Sequence, residues 1–149
     1  MLKVIKQSWS ISRASYQPQQ VRREILDFLQ GKLAQNVWAQ RLLIVASELI
    51  ANSCEHRFDN DSVEVSIGIT VYRHQMRVQI VLDDDSNLLI MQRYKNLFNA
   101  VKKKNRKAAL HGVHGRGLQI VLHWTDSMVF SKKRSGGLKI KVVKTVNLN

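Results

Sequence analysis

Hydrophobic and polar residues alternate in two stretches near the middle of the chain. Residues 63–71 carry valine or isoleucine at every second position, which is the pattern of a half-buried strand. The alternation continues at 76–84 after the short polar turn 73–75, so the two stretches predict a β-hairpin. A second hairpin is predicted near the C-terminus, where residues 127–132 and 138–146 flank the turn sequence KRSGG.

The first third of the chain predicts one strand and two helices. Residues 3–11 alternate less regularly and fit an edge strand. A helix is predicted to begin near Pro18, which suits a first helical turn, with apolar side chains recurring at helical spacing from Val21 onward. A second helix is predicted to begin after Asn36, a favourable N-cap residue, and to continue to His56.

A long connection, residues 88–114, separates the first hairpin from a third predicted helix. The connection begins with a helical pattern, continues as a basic run, and ends in glycines; the helix is predicted to begin at Gly115–Gly117. The element order is β-α-α-β-β, the long connection, and then α-β-β. This order predicts an α+β fold, a two-layer sandwich whose mixed, mostly antiparallel sheet carries helices on one face.

Length and composition favour a single domain covering residues 1–149. The chain is 44% hydrophobic and has three tryptophans, which indicates a folded protein with one core. Its apolar runs are too short to span a bilayer, and its N-terminus lacks the apolar stretch of a secretion signal. The single cysteine, Cys54, excludes an intramolecular disulfide and fits a reducing compartment. We therefore expect a cytoplasmic protein.

The net charge of +13 raises the question of an acidic partner. Basic residues concentrate at 101–107 and 131–144, and neither block carries the interleaved aromatic residues expected of a single-strand nucleic-acid binder. Binding to acidic proteins is favoured over specific nucleic-acid binding. A gel-shift series at rising salt distinguishes the two, since phosphate contacts weaken steeply as salt increases.

The second predicted helix carries a polar stripe on an otherwise apolar surface. At about 100° per residue, Glu48, Asn52 and Glu55 fall in one narrow sector, and apolar residues surround this sector. We expect the helix to be largely buried, so the carboxylate and the amide need partners. On this helix alone, a structural partner and a functional role both remain open.

Asp84 and the glycines 115 and 117 are further candidates for chemistry. Period-two geometry places Asp84 on the same face as Leu82, beneath the helical layer, although an exposed acidic turn would give the same sequence. A Gly-x-Gly sequence before a helix lets the backbone approach another group closely, and a bare helix N-terminus attracts phosphate. An ordinary tight turn is the alternative interpretation of these glycines.

Three blocks together resemble one family, the GHKL (Bergerat-fold) ATPases. SELIANSCEH (47–56) resembles the N-box, VLDDDSNLL (81–89) occupies the place of the Asp-x-Gly-x-Gly box, and HGRGLQIV (114–121) resembles the late glycine box. The resemblance covers nearly the whole chain and is strongest to the anti-sigma-factor serine kinases. It implies a Bergerat fold with ATP and Mg²⁺ as cofactors.

The resemblance also implies roles for individual residues. Asn52 would ligate Mg²⁺, Glu48 would be the general base, and Asp84 would accept a hydrogen bond from the adenine amino group. In the late glycine box, Gly115 and Gly117 would bring backbone N–H groups to the triphosphate, and Arg116 would neutralise its charge. Leu118 would also contact the nucleotide. Ser86 would contact the nucleotide from the Asp84 box.

The chain departs from the family at the Asp84 box, where Ser86 and Leu88 replace the two glycines. Two functions follow. The first is an ATP-dependent serine protein kinase that controls a sigma factor through partner switching with an anti-anti-sigma antagonist and forms a homodimer, as the resemblance suggests. The second is a non-catalytic module of the same fold that keeps only partner binding. A detached histidine-kinase ATPase domain is a weaker possibility, since nothing resembles a phosphoacceptor helix.

Overall fold

Five strands form one sheet in the computed structural model of the chain, which describes residues 3–55, 62–84, 96, 113–134 and 137–148. The sheet order is β1-β2-β3-β5-β4, and all four pairings between neighbours are antiparallel. The strand bounds are β1 (Lys3–Ser12), β2 (Ser62–Val71), β3 (Gln75–Asp84), β4 (Ser127–Lys132) and β5 (Leu138–Asn147). Both predicted hairpins are confirmed, and β1 lies at the edge of this sheet, as predicted.

Three helices join the sheet in the described part of the chain: α1 (Pro18–Lys32), α2 (Asn36–Glu55) and α3 (Val113–Trp124). Alternate residues of the strands are buried, as the sequence predicts; in β2 the buried set begins at Val63 and continues at every second residue to Ile69. The α+β fold with two layers is confirmed. Because burial follows strict alternation, one face of the sheet meets the helices and the other is more exposed.

The core lies between the sheet and the three helices. Ile25 and Leu29 of α1 are fully buried, as are Leu49 of α2 and Leu118 of α3. Burial of such side chains contributes about 1.5–3 kcal/mol each relative to exposure. None of the described helices is long and apolar enough to cross a membrane.

Helix α2 packs against both α1 and α3, which holds it at the centre of the helical layer. The sequence predicts a largely buried helix, and most of α2 is buried or half-buried, while Val37 is 58% exposed and Ile44 is 39% exposed. These residues are two turns apart and lie on the side of α2 that faces away from the sheet. The prediction of a largely buried helix is confirmed, and this stripe is the part of the helix that remains exposed.

The first turn of α3 begins at Val113, two residues before the predicted position, so Gly115 and Gly117 lie inside the helix. The C-terminal end of α3 is tied to the sheet by Asp126. Its backbone N–H donates to the carbonyl of Val143 at 2.8 Å, and its carboxylate accepts a hydrogen bond from the backbone N–H of Thr145 at 2.7 Å. These two hydrogen bonds hold the connection between α3 and β4 against β5.

A cluster of tryptophans and cations joins α2, α3 and β5. The guanidinium carbon of Arg41 lies 4.9 Å from the ring centre of Trp38 and 5.7 Å from that of Trp124. Lys144 Nζ lies 4.4 Å from the ring centre of Trp38, and the same Nζ is 3.3 Å from Asp126. Since cation–π contacts fall off beyond about 6 Å, all three are within the effective range.

We expect the Arg41→Gln substitution to lower the free energy of unfolding by about 1–2 kcal/mol. The change removes two cation–π contacts of about 0.5–1 kcal/mol each and keeps a polar side chain of similar length. Urea denaturation with tryptophan fluorescence measures the effect. Arg23→Gln on the exposed face of α1 is the matched control and is expected to change stability by less than about 0.5 kcal/mol. Equal effects of the two substitutions would contradict the proposed contribution of the cluster.

Candidate functional site

Glu48 and Asn52 are directed at the same point on α3. They are four residues apart, so they lie on one face of α2, one turn above the other. A Cβ atom built on Gly117 would collide with Glu48 Oε2, would lie 3.3 Å from the Glu48 carboxyl carbon, and would lie 3.8 Å from Asn52 Nδ2. The carboxylate and the amide therefore meet the backbone of α3 at Gly117.

Close approach, rather than unusual backbone geometry, explains why residue 117 is glycine. Gly117 lies in the second turn of α3, and any side chain there would displace the Glu48 carboxylate. The first four N–H groups of a helix lack intrahelical partners. In α3 this first turn is residues 113–116, which include Gly115 and Arg116 and precede Gly117 in the chain; the side chains of these four residues lie outside the described set.

The side chains of Asn52 and Glu48 differ in exposure. Asn52 is buried, with 6% of its surface exposed, whereas Glu48 is half-buried. Burying an amide costs free energy unless its polar atoms are hydrogen-bonded or bind an ion, so the buried side chain of Asn52 needs such a partner. Leu118, the residue after Gly117, is fully buried and belongs to the apolar core.

Asp84 lies at the end of β3 on the buried face of the sheet, as period-two geometry predicts. Its paired residues are Val63 of β2 and Leu138 of β5, and its carboxylate is fully buried. An exposed acidic turn is therefore excluded for this residue. Asp83 points to the other face, is 31% exposed, and lies 3.8 Å from Lys133 Nζ.

Arg13 forms a buried ion pair with Asp84, and the sequence interpretation did not include this arginine. The guanidinium of Arg13, 1% exposed, donates a hydrogen bond to Asp84 Oδ1. Trp9 and Ile11 are the inward-facing residues that precede Arg13 at two-residue spacing. This alternation is a signal that would have placed Arg13 in the interior, where it requires a carboxylate partner.

Tyr16 follows β1 and lies close enough to Glu48 and Cys54 for their charges to affect its phenol. Burial raises the pKa of Tyr16 above its ordinary value; the neighbouring Cys54 and Glu48 act in the same direction, and Arg22 acts against them. The phenol therefore keeps its proton at neutral pH and remains a hydrogen-bond donor beside the site. Tyr16 is a second residue that the motifs did not indicate.

Glu48 and Asn52 have the donor atoms that suit Mg²⁺, a hard cation that takes carboxylate and amide oxygens together with phosphate oxygens. The two side chains converge and Gly117 leaves room for them. Gly117 follows the first turn of α3, and the first turn of a helix is a general binding position for anions. The residues therefore fit a magnesium–phosphate group. Within the part of the chain that the structure describes, no cluster of three or more His, Cys, Asp or Glu side chains forms a separate metal site.

Several predicted features lie outside the described residues. These are Ser86 and Leu88 at the missing-glycine positions, the helical pattern at 88–101 and the basic run at 101–107. The side chain of Glu55, the last member of the polar stripe, also lies outside the described set. Among the described residues, Glu48 and Asn52 on α2 meet Gly117 on α3, and the Arg13–Asp84 pair lies at the end of β3.

Comparison with known proteins identifies similar architecture. Neither the protein-family models nor the curated proteins match this chain. Among solved structures, a chain from "The crystal structure of SiaB-SiaC complex from Pseudomonas aeruginosa" has a TM-score of 0.65 and is 13% identical in sequence; the match covers 95% of this chain and 88% of that chain. At this identity the likeness is one of fold, and nearly the full length of both chains shares it.

Proposed function

We propose that this protein is a partner-switching regulator that binds magnesium–ATP between α2 and α3. One observation carries the proposal: Glu48 and Asn52 of the N-box-like segment meet Gly117 of the late glycine box, although more than sixty residues of chain separate them. Two motifs that resemble parts of one nucleotide site would otherwise have no reason to converge. The resemblance and the geometry therefore support the same site.

The residues of this site suit phosphoryl transfer to a partner serine. Asn52 would hold Mg²⁺, which neutralises phosphate charge when it is bound. Glu48 is half-buried and close to α3, so it is placed to accept a proton from a hydroxyl group that approaches along the helix interface. Phosphoryl transfer depends mainly on positioning and electrostatics, so few protein groups are needed.

The partners that the resemblance implies are a sigma factor and its anti-anti-sigma antagonist. The structural neighbour comes from a two-protein complex, which supports a protein-binding role for this fold. A net charge of +13 suits acidic partners and would give fast, salt-sensitive association. Homodimerisation, which the same resemblance suggests, belongs to this proposal.

Magnesium–ATP is expected to stabilise the wild-type protein, and the Asn52→Ala substitution is expected to remove most of this effect. A ligand present at about 100 times its Kd stabilises the native state by about 2.7 kcal/mol, a Tm shift of several degrees. Thermal unfolding with and without magnesium–ATP measures the shift, and calorimetry gives the Kd.

Asn36→Ala is the matched control, because Asn36 is the same residue type at the exposed opposite end of α2. This variant should keep the wild-type Tm shift with magnesium–ATP. If wild-type protein shows no shift and no heat of binding at millimolar magnesium–ATP, the nucleotide proposal is wrong. If Asn52→Ala binds as tightly as the wild type, nucleotide binds elsewhere on the molecule.

A non-catalytic partner-binding module is the second candidate, and the Arg13–Asp84 ion pair favours it. The carboxylate that would receive the adenine amino group already accepts a hydrogen bond from a buried guanidinium. For such a module, partner binding would persist after Glu48→Ala and Asn52→Ala. Transfer of phosphate from ATP to a partner serine, measured by mass spectrometry, would exclude this second function.

A further inference from the structure

The face of the sheet opposite the helices carries a small apolar patch with a lysine at its centre. Lys141 of β5 points to this outer face, because Ile140 and Val142 on either side of it are buried in the core. The strand register places Lys141 between Val81 of β3 and Val129 of β4. These three residues form the outer patch. Val129 is 54% exposed, so part of the patch is in contact with solvent.

The outer patch carries positive charge that nearby carboxylates do not balance. Lys139 lies two residues before Lys141 on β5 and therefore on the same face. The carboxylate opposite Lys139 is that of Asp83, which lies 3.8 Å from Lys133 Nζ, and Glu64 lies one strand further away. Neither Lys139 nor Lys141 forms an ion pair with a described residue. Two ammonium groups beside apolar side chains therefore suit an acidic partner.

The chemistry of the outer patch favours a protein partner over other acidic surfaces. Two copies of this chain that met through the patch would bring lysines against lysines, which is unfavourable. Nucleic acids and anionic membranes present dense phosphate, and the carboxylates of Asp83 and Glu64 on the same face would repel it. The patch also lacks the aromatic rings on which single-stranded bases stack. It instead suits a protein segment that carries acidic and apolar side chains side by side.

The width of the outer patch favours a helix as the bound segment. Val81 and Val129 lie on the two strands that flank β5, and neighbouring strands are about 4.8 Å apart, so the patch spans about 10 Å across the sheet. A helix with its side chains is about 10–12 Å wide and can cover this span. An added strand would pair at the edge of β4 and leave Val81 uncovered.

We propose that the outer patch binds an acidic amphipathic helix of a partner protein. Apolar side chains of that helix would cover Val81 and Val129, and one of its carboxylates would pair with Lys141. The inference rests on the partner-binding part of the proposed function. It does not depend on the nucleotide part, because Glu48 and Asn52 meet α3 within the helical layer, on the other face of the sheet.

The probe for this proposal is a designed helical peptide of about 18 residues, or five turns, with leucine along one side and glutamate elsewhere. Fluorescence anisotropy of the labelled peptide at about 0.15 M salt gives its Kd, since exposed charges are then screened beyond about 8 Å. We expect Val129→Asp and Lys141→Glu each to raise this Kd at least about tenfold. Circular dichroism checks that both variants are folded.

Val4→Asp and Lys32→Glu are the matched controls. Val4 is 65% exposed on β1, at the opposite edge of the sheet from β4, and Lys32 is exposed at the end of α1. Each control makes the same change of residue type, and of net charge, as its counterpart in the outer patch. Both controls should keep the Kd within about threefold of the wild type.

The outcomes separate this proposal from the nucleotide site. Asn52→Ala should bind the peptide as the wild type does; loss of peptide binding with magnesium–ATP binding intact would overturn the outer patch alone. Equal binding of a peptide with lysine in place of glutamate would also overturn it, as would equal losses in the control variants. Tighter binding of duplex DNA or phosphatidylserine vesicles than of the peptide, lost on Lys141→Glu, would replace the protein partner with a phosphate surface.

Discussion

The Arg13→Met substitution is expected to lower the free energy of unfolding by about 3–5 kcal/mol. It removes one partner of a buried ion pair and leaves the Asp84 carboxylate, which is fully buried, without its cation. Native domains are stable by only about 5–15 kcal/mol, so this loss is a large fraction of the total. Urea denaturation followed by circular dichroism measures it.

Replacing both partners tests the origin of this loss. In the double variant Arg13→Met/Asp84→Leu, apolar side chains of similar volume occupy both positions, and stability is expected to recover to within about 1–2 kcal/mol of the wild type. Lys133→Met is the control for an exposed pair: Lys133 and Asp83 are about 30% exposed, so their separation should cost less than about 1 kcal/mol. If the double variant is no more stable than Arg13→Met, charge burial does not explain the loss.

The Gly117→Ala substitution is expected to abolish magnesium–ATP binding without unfolding the protein. The new methyl group would occupy the position of Glu48 Oε2 and force the carboxylate away from α3. Glu48 is flexible and can rotate, and alanine is favoured over glycine in a helix by about 1 kcal/mol. We therefore expect stability within about 1 kcal/mol of the wild type and a Kd for magnesium–ATP raised by at least about tenfold.

Gly31→Ala is the matched control for this substitution. Gly31 lies in α1, and a Cβ atom there would meet nothing within 4 Å. The same change in residue type should therefore stabilise the protein by about 0.5–1 kcal/mol and leave the Kd for magnesium–ATP unchanged. A Gly117→Ala variant that binds magnesium–ATP as tightly as Gly31→Ala would contradict the assignment of Gly117 to the site.

The strands were predictable from the sequence because burial on one face imposes a period of two. The alternation at 63–71 and 76–84 correctly identified β2 and β3 and placed Asp84 on the buried face. The helices were predictable because burial of one side of a helix places apolar residues at a period of about 3.6 residues. The prediction that α2 is largely buried was correct, but periodicity does not show on which side a helix lacks a neighbour; Ile44 lies on that side.

The candidate site was only partly predictable. Glu48, Asn52 and Gly117 could be named from their motifs, but their convergence depends on how α3 packs against α2, and no local pattern encodes this. Arg13 was missed because a single basic residue after a strand is usually exposed. Its partner lies 71 residues away in the chain, so only the register of the sheet brings the two charges together.

The position of β1 in the sheet has a consequence for how the chain folds. β1 pairs along its whole length with β2, from Lys3 opposite Val71 to Ser12 opposite Ser62, and both α1 and α2 lie between them in the sequence. A loop of about fifty residues must therefore close before the first of these pairs can form, which is entropically costly. High contact order of this kind slows folding. The Arg13–Asp84 pair requires the same loop closure, so this ion pair is expected to form late in folding.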